Sequence, residues 1–142
     1  MDKRTIGYWI TTGLIALLFT FGGVMDLLAP PEVVKGLGDL GYPPYFARLL
    51  GVWKVLGVIA LLAPGFPRLK EWAYAGMFFD LTSASVSHAA SGDELAKVIT
   101  PLVILVLLMA SWWLRPANRT LGVLRGREVE SVTPPHLSST TA

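Results

Sequence analysis

The stretch GVWKVLGVIALLAPG, Gly51 to Gly65, is a run of valine, leucine and isoleucine with one lysine, Lys54, set inside it. The run has the apolar quality of a membrane span, and Pro64-Gly65 ends it. A charge at the centre of a bilayer costs about 2.5–3.5 kcal/mol on insertion scales. Such a lysine has to face the interior of a helix bundle and find a partner there. The reading of the whole chain turns on that partner.

The composition supports a membrane setting. Of 142 residues, 53% are hydrophobic and 15% charged, and the mean hydropathy is +0.55. Soluble domains carry about 25% charged residues. The apolar residues come in blocks rather than in amphipathic stripes, which is the stronger argument. No cysteine is present, so disulfides, thiol redox chemistry, cysteine-ligated zinc and iron–sulfur clusters are excluded. The two histidines, His88 and His136, are too few for a histidine-rich metal site, and the sequence calls for no cofactor. No basic, aromatic-interleaved face points to nucleic acid.

Four blocks are long enough to cross a hydrocarbon core of about 30 Å: about 6–25, 45–62, 72–89 and 98–114. The expected fold is all-α, a polytopic membrane protein with a four-helix transmembrane bundle over residues 1–116. Residues 117–142 read as a polar, disordered cytoplasmic tail. The first block follows Lys3 and Arg4 as a signal peptide would. Its apolar region is too long and Met25-Asp26-Leu27-Leu28 is a poor lead-in to cleavage, so it reads as a retained span. Pro30-Pro31, Pro43-Pro44, Pro64, Pro67 and Pro116 fall between spans, and Pro101 is expected in the first turn of the last one.

Lysine and arginine set the orientation. Eight of the twelve, including Lys3, Arg4, Lys70, Arg115 and Arg119, fall on one side. Lys35 and Lys97 fall on the other, and Arg48 and Lys54 lie within a span. The expectation is a multi-pass protein of the cell membrane with both termini cytoplasmic. Two motifs mislead. Gly36–Gly41, GLGDLG, matches the dinucleotide fingerprint but has no preceding strand and runs into Tyr42-Pro43-Pro44, so it reads as a turn-rich loop. Asn118-Arg119-Thr120 matches a glycosylation acceptor on the expected cytoplasmic side.

Five ionisable residues lie within or at the ends of the spans: Asp26, Arg48, Lys54, Asp80 and His88. At about 1.5 Å of rise per residue, Lys54 and Asp80 reach similar depths near the midplane, and Asp26 and Arg48 share the outer rim. The expected pairs are therefore Lys54 with Asp80, directly or through water, and Asp26 with Arg48. Arg48, Gly51, Lys54 and Gly57 share one side of span two, and Gly76, Asp80, Ser83 and Ser87 one arc of span three. Small residues let helices approach and hydroxyls satisfy polar neighbours. This polar seam is either a set of ion pairs that fixes helix register or a pocket open to the outer side. Ser83, Ser85 and Ser87 read as packing residues, because no base is placed to activate a nucleophile.

With those residues in view, the chain resembles the DoxX-like family of small membrane proteins. The resemblance runs from about Tyr8 to Pro116 and rests on LGDLGYPPYFARLLGVWKVLGVIALLAPG, LKEWAYAGMFFDLTSASVSHAASGD and SWWLRP. It implies a four-helix membrane bundle. It also implies a link to redox work, since DoxX itself is a membrane subunit of a thiosulfate:quinone oxidoreductase. A quinone is a candidate ligand on that resemblance alone, and the family offers no agreed catalytic residues. The leading expectation is an accessory or anchoring subunit near membrane redox or oxidative-stress chemistry. Its partners would be the lipid bilayer and an oxidoreductase subunit, with room for a homo-oligomer. The alternative is a small permeation or solute-binding protein that uses the polar seam. A membrane enzyme acting alone ranks third.

Overall fold

The computed structural model describes residues 1–121 and is helical throughout. Helix α1 runs Lys3–Leu28, α2 Pro31–Asp39, α3 Tyr45–Leu62, α4 Pro67–Ala90 and α5 Leu95–Leu114. A 3-10 turn over Ala117–Arg119 follows, so the start of the expected tail is ordered against the bundle. The expectation for residues 122–142 lies outside the described residues.

Local chemistry sets most of these boundaries. Asp2 caps α1 by accepting from the Arg4 backbone N–H at 2.6 Å, a bond that satisfies one of the orphan donors of the first turn. Pro31 and Pro67 each open a helix at a position where a missing N–H costs nothing. The turn between α4 and α5 uses Gly92 at φ 71, a left-handed backbone that a side chain would disfavour. Helix α2 is a correction to the sequence reading. Its residues Pro31–Asp39 include Gly36–Asp39 of the GLGDLG stretch, so that stretch is the end of a helix followed by a turn rather than a loop. A second correction concerns Pro101. Because α5 begins at Leu95 rather than at Val98, the proline lies inside the helix. There its ring removes one ladder hydrogen bond. In the turn beside it, the Ser85 hydroxyl of α4 donates to the Val98 carbonyl at 2.7 Å and ties α4 to α5.

The four long helices contact one another in a ring, α1 on α3, α3 on α4, α4 on α5 and α5 on α1, with α2 lying against α3 at one end. Ile15, Phe19, Val58, Met77, Leu81 and Leu108 form the centre of the core. Three of the helices, α1, α3 and α5, are long and apolar enough to cross a membrane by length and composition. Helix α4 has 24 residues but does not join them, because Asp80, three serines, a threonine and His88 dilute its apolar content.

The closest helix crossing is between α1 and α3. A Cβ built on Gly51 would lie 2.7 Å from the Gly23 carbonyl oxygen and 2.7 Å from the Leu27 backbone nitrogen. One on Gly23 would lie 3.0 Å from the Lys54 Cβ. The two backbones touch only because neither residue has a side chain, which is how helices gain dispersion contacts where no hydrophobic drive is available. Gly51→Ala should therefore cost about 1–3 kcal/mol, as overpacking usually does. Gly76→Ala is the control, since a Cβ there meets no atom within 4 Å and alanine favours a helix by up to about 1 kcal/mol. Thermal unfolding of both variants in one detergent checks this. Equal effects would show that the crossing is not tight.

Candidate functional site

A cavity of about 580 Å³ lies where α3 and α4 diverge, with the end of α1 and residues of α2 contributing to its walls. That volume falls inside the range of about 300–1,000 Å³ usual for small-molecule sites. The helix pattern explains its position. On α3 the lining face carries Trp53, Lys54 and Gly57, and on α4 Gly76, Asp80 and Ser83. Glycine and serine hold little volume, so two helices that meet elsewhere leave space here. The exposed rings of Trp53, Trp72 and Phe79 border the same space. The cavity therefore opens sideways, between α3 and α4, onto the apolar exterior.

One wall is charged. Lys54 Nζ donates to Asp26 Oδ2 at 2.8 Å, with both side chains largely buried. A Cβ on Gly22 would lie 3.9 Å from that nitrogen, so the lysine stem lies across the Gly22-Gly23 step of α1 to reach the carboxylate one turn further out. Asp80 lines the cavity too, but among the described residues it makes no ion pair and no side-chain hydrogen bond.

These contacts correct the expected Asp26–Arg48 pair and the direct form of the expected Lys54–Asp80 pair. The direct partner of Lys54 is Asp26, not Asp80. Arg48 is exposed, does not line the cavity and makes no ion pair among the described residues. Depth along a helix was the wrong criterion, because a lysine stem spans more than a helical turn. Which helices touch decides the pairing. The Gly23–Gly51 crossing sets Lys54 against α1, whereas the cavity separates it from α4. The other four seam residues, Asp26, Lys54, Asp80 and His88, share the one cavity.

At the end near the α4–α5 turn the cavity is closed by polar contacts. Tyr42, after α2, shares a hydrogen bond of 2.7 Å with Ser87, and its ring stacks on Phe46 at 4.5 Å. His88 Nδ1 lies 2.6 Å from Asp93 Oδ2 in the α4–α5 turn. That hydrogen bond holds the Asp93 carboxyl below its ordinary range, since a bond to the charged form favours it.

A second polar cluster lies at the opposite end of the bundle, and the sequence reading missed it. Lys70, read as a loop cation, has 0% exposure. Its ammonium donates to the carbonyls of Ala60, at 3.3 Å, and of Ala63. It thereby caps the α3 C-terminus, where orphan carbonyls and the helix dipole favour a cation. Arg115, 4% exposed, pairs with Glu71 at 2.6 Å, and the Trp112 indole donates to the other Glu71 oxygen at 3.0 Å. The Arg115 guanidinium also covers the rings of Tyr74 and Trp112. Ser111 joins Thr12 at 2.7 Å and the Tyr74 hydroxyl at 2.8 Å, which ties α1, α4 and α5 together. Arg119 closes the cluster over Tyr8 and Trp9. The sequence carried only a weak signal for this, an acid–base pair one turn after Pro67. The bonds of this cluster are internal, although Arg115 Nη1 is buried without a hydrogen-bond partner among the described residues and a smaller space of about 220 Å³ lies beside Glu71, Tyr74 and Trp112.

Breaking a buried pair by removing one member costs about 3–5 kcal/mol, because the survivor keeps an uncompensated charge. Lys54→Met and Asp26→Leu should each destabilise the bundle by about that amount, and the double change should recover much of it. The corresponding cycle with Asp80→Leu should show clearly weaker coupling. Thermal unfolding of the set measures both, and stronger coupling to Asp80 would overturn the assigned pair.

Comparison with known proteins places this geometry in a family. No curated protein and no solved structure matches the chain. A profile of the DoxX-like family matches residues 10–111, which takes in most of all four long helices, the cavity and the Asp26–Lys54 pair. The chain belongs to the DoxX-like family, and its apolar helices are those of a membrane protein.

Proposed function

We propose that the chain crosses the cell membrane four times, with both termini cytoplasmic, and binds a small amphiphile in the cavity between α3 and α4. The observation that carries the binding reading is the cavity itself: an apolar volume of about 580 Å³ with one charged wall. A ligand with a hydrophobic body and one polar head matches that division, and the sideways opening suits a molecule that arrives dissolved in lipid. Helix α4 serves as the remaining span because its polar residues have partners or face the cavity. Thr82 bonds back to the Phe78 carbonyl at 2.9 Å, Ser85 to Val98, and Asp80 and Ser83 line the space. The end that holds Lys70, Arg115 and Arg119 is then the cytoplasmic one, as the positive-inside bias requires.

Topology is tested by reporter fusions after Ala117, which should be active only as cytoplasmic reporters; activity confined to an external reporter would refute four crossings. Binding is tested with dodecanol in phosphatidylcholine nanodiscs, read by the fluorescence of the tryptophans that border the cavity. Wild type should bind saturably. Gly76→Trp, which fills the cavity from a position where a Cβ meets no atom within 4 Å, should weaken binding at least about tenfold, the loss of roughly one well-placed contact set. Its helix content should be unchanged. Undiminished binding by a folded Gly76→Trp would show that the cavity is not the site.

A further inference from the structure

The cavity wall is not electrically balanced. Asp26 and Asp80 present two carboxylates against the single ammonium of Lys54. Lys54 is already committed, at 2.8 Å, to Asp26, and it is wedged against the Gly22-Gly23 step. His88 does not supply the missing charge, because its ring turns to Asp93 in the α4–α5 turn. Arg48 is exposed and lies outside the cavity. That leaves Asp80 lining an apolar space with no ion pair or side-chain hydrogen bond among the described residues. An ionised carboxylate in such surroundings is costly until a cation or donor reaches it.

We infer that the ligand of this cavity is a lipophilic amine: a hydrocarbon body carrying one protonated nitrogen, with Asp80 as its counter-ion. The inference rests on the cavity-binding reading above and names the ligand class for that site. A cationic head brings the wall to two acids and two bases, whereas an anionic head would deepen the excess of negative charge. The rest of the lining agrees. Ser83 and Ser87 lie on the Asp80 face of α4 and offer further acceptors for an ammonium. Phe19, Trp53 and Phe79 border the space, and aromatic faces attract cations as well as hydrocarbon. Toward the opposite end the lining turns to Leu69, Trp72 and Met77, where a chain or ring system would lie.

The test uses the full chain in phosphatidylcholine nanodiscs, a lipid without a primary amine to compete. Dodecylamine, dodecanol, dodecanoate and a decyl-substituted benzoquinone are compared by the same tryptophan fluorescence. Dodecylamine should bind at least about tenfold more tightly than dodecanol, the usual scale of a charge-assisted hydrogen bond, and dodecanoate more weakly than either. Asp80→Asn should abolish the preference of dodecylamine over dodecanol, with helix content by circular dichroism and thermal unfolding showing that the variant is folded. Asp80→Glu should keep the preference for the amine. Equal or tighter binding of the alcohol, the acid or the quinone, or an amine preference that survives Asp80→Asn, overturns the amine assignment and leaves the cavity reading intact. Loss of saturable binding for all four probes, or indifference of all four to Gly76→Trp, overturns the cavity reading itself.

Discussion

The contact between Gly23 and Gly51 is the constraint on which the rest of this structure depends. Two helix backbones touch there because neither residue has a side chain. In lipid that closeness supplies packing energy that the hydrophobic effect cannot. It also sets the partners of the charged groups. Lys54, one turn from Gly51, is pressed against α1, and the bare Gly22-Gly23 step lets its stem cross to Asp26. The same crossing holds α3 to one side of the ring. The cavity opens on the other side, where α3 and α4 meet through glycine, serine and alanine.

Charge is handled differently at the two ends of the bundle. At the Lys70 end, Lys70, Arg115 and Arg119 are packed against carbonyls, a carboxylate and aromatic rings, and the space beside them is smaller, about 220 Å³. The bonds there tie helix ends to one another: Lys70 closes α3, and Ser111 gathers α1, α4 and α5. At the Asp26 end, one acid and one base are paired, and a further acid faces open volume. Buried ion pairs are weak evidence for function, because desolvation offsets much of their attraction. An unmatched carboxylate beside a cavity is a different matter, since its cost is relieved when a proton or a cation reaches it. The Lys70 cluster thus reads as architecture, and the open wall is the proposed binding site. The association with redox partners implied by the resemblance concerns surfaces and ligands that this wall does not itself specify.

Several local signals in the chain point away from the structure they belong to. GLGDLG has the spacing of a nucleotide-binding turn, yet it forms the end of α2 and the turn beyond it, because Pro30-Pro31 starts a helix just upstream. Pro101 resembles a helix start, but residues from Leu95 onward begin α5 before it, so the proline lies inside the helix. The hydropathy of α4 falls below that of its neighbours because Asp80, Ser83 and Ser87 face inward space. In the first two cases a neighbouring stretch of chain outweighed the local rule, and in the third the packing did.

Much of the fold was legible in the residues alone. Apolar block lengths and the prolines that flank the blocks are properties of the chain that no packing can alter, and they led to all four long helices. The faces that carry Gly51 with Lys54, and Gly76 with Asp80, followed from 100° per residue. The pairing did not follow, because periodicity says which side a residue is on and depth says how far along it lies. Neither says which neighbour the side faces. That was decided by the backbone contact at Gly23 and Gly51, by the reach of the lysine stem, and by the turn after Pro67 that buries Lys70 beneath the end of α3. Those are distances between helices, and a sequence holds no distance between segments until the segments have packed.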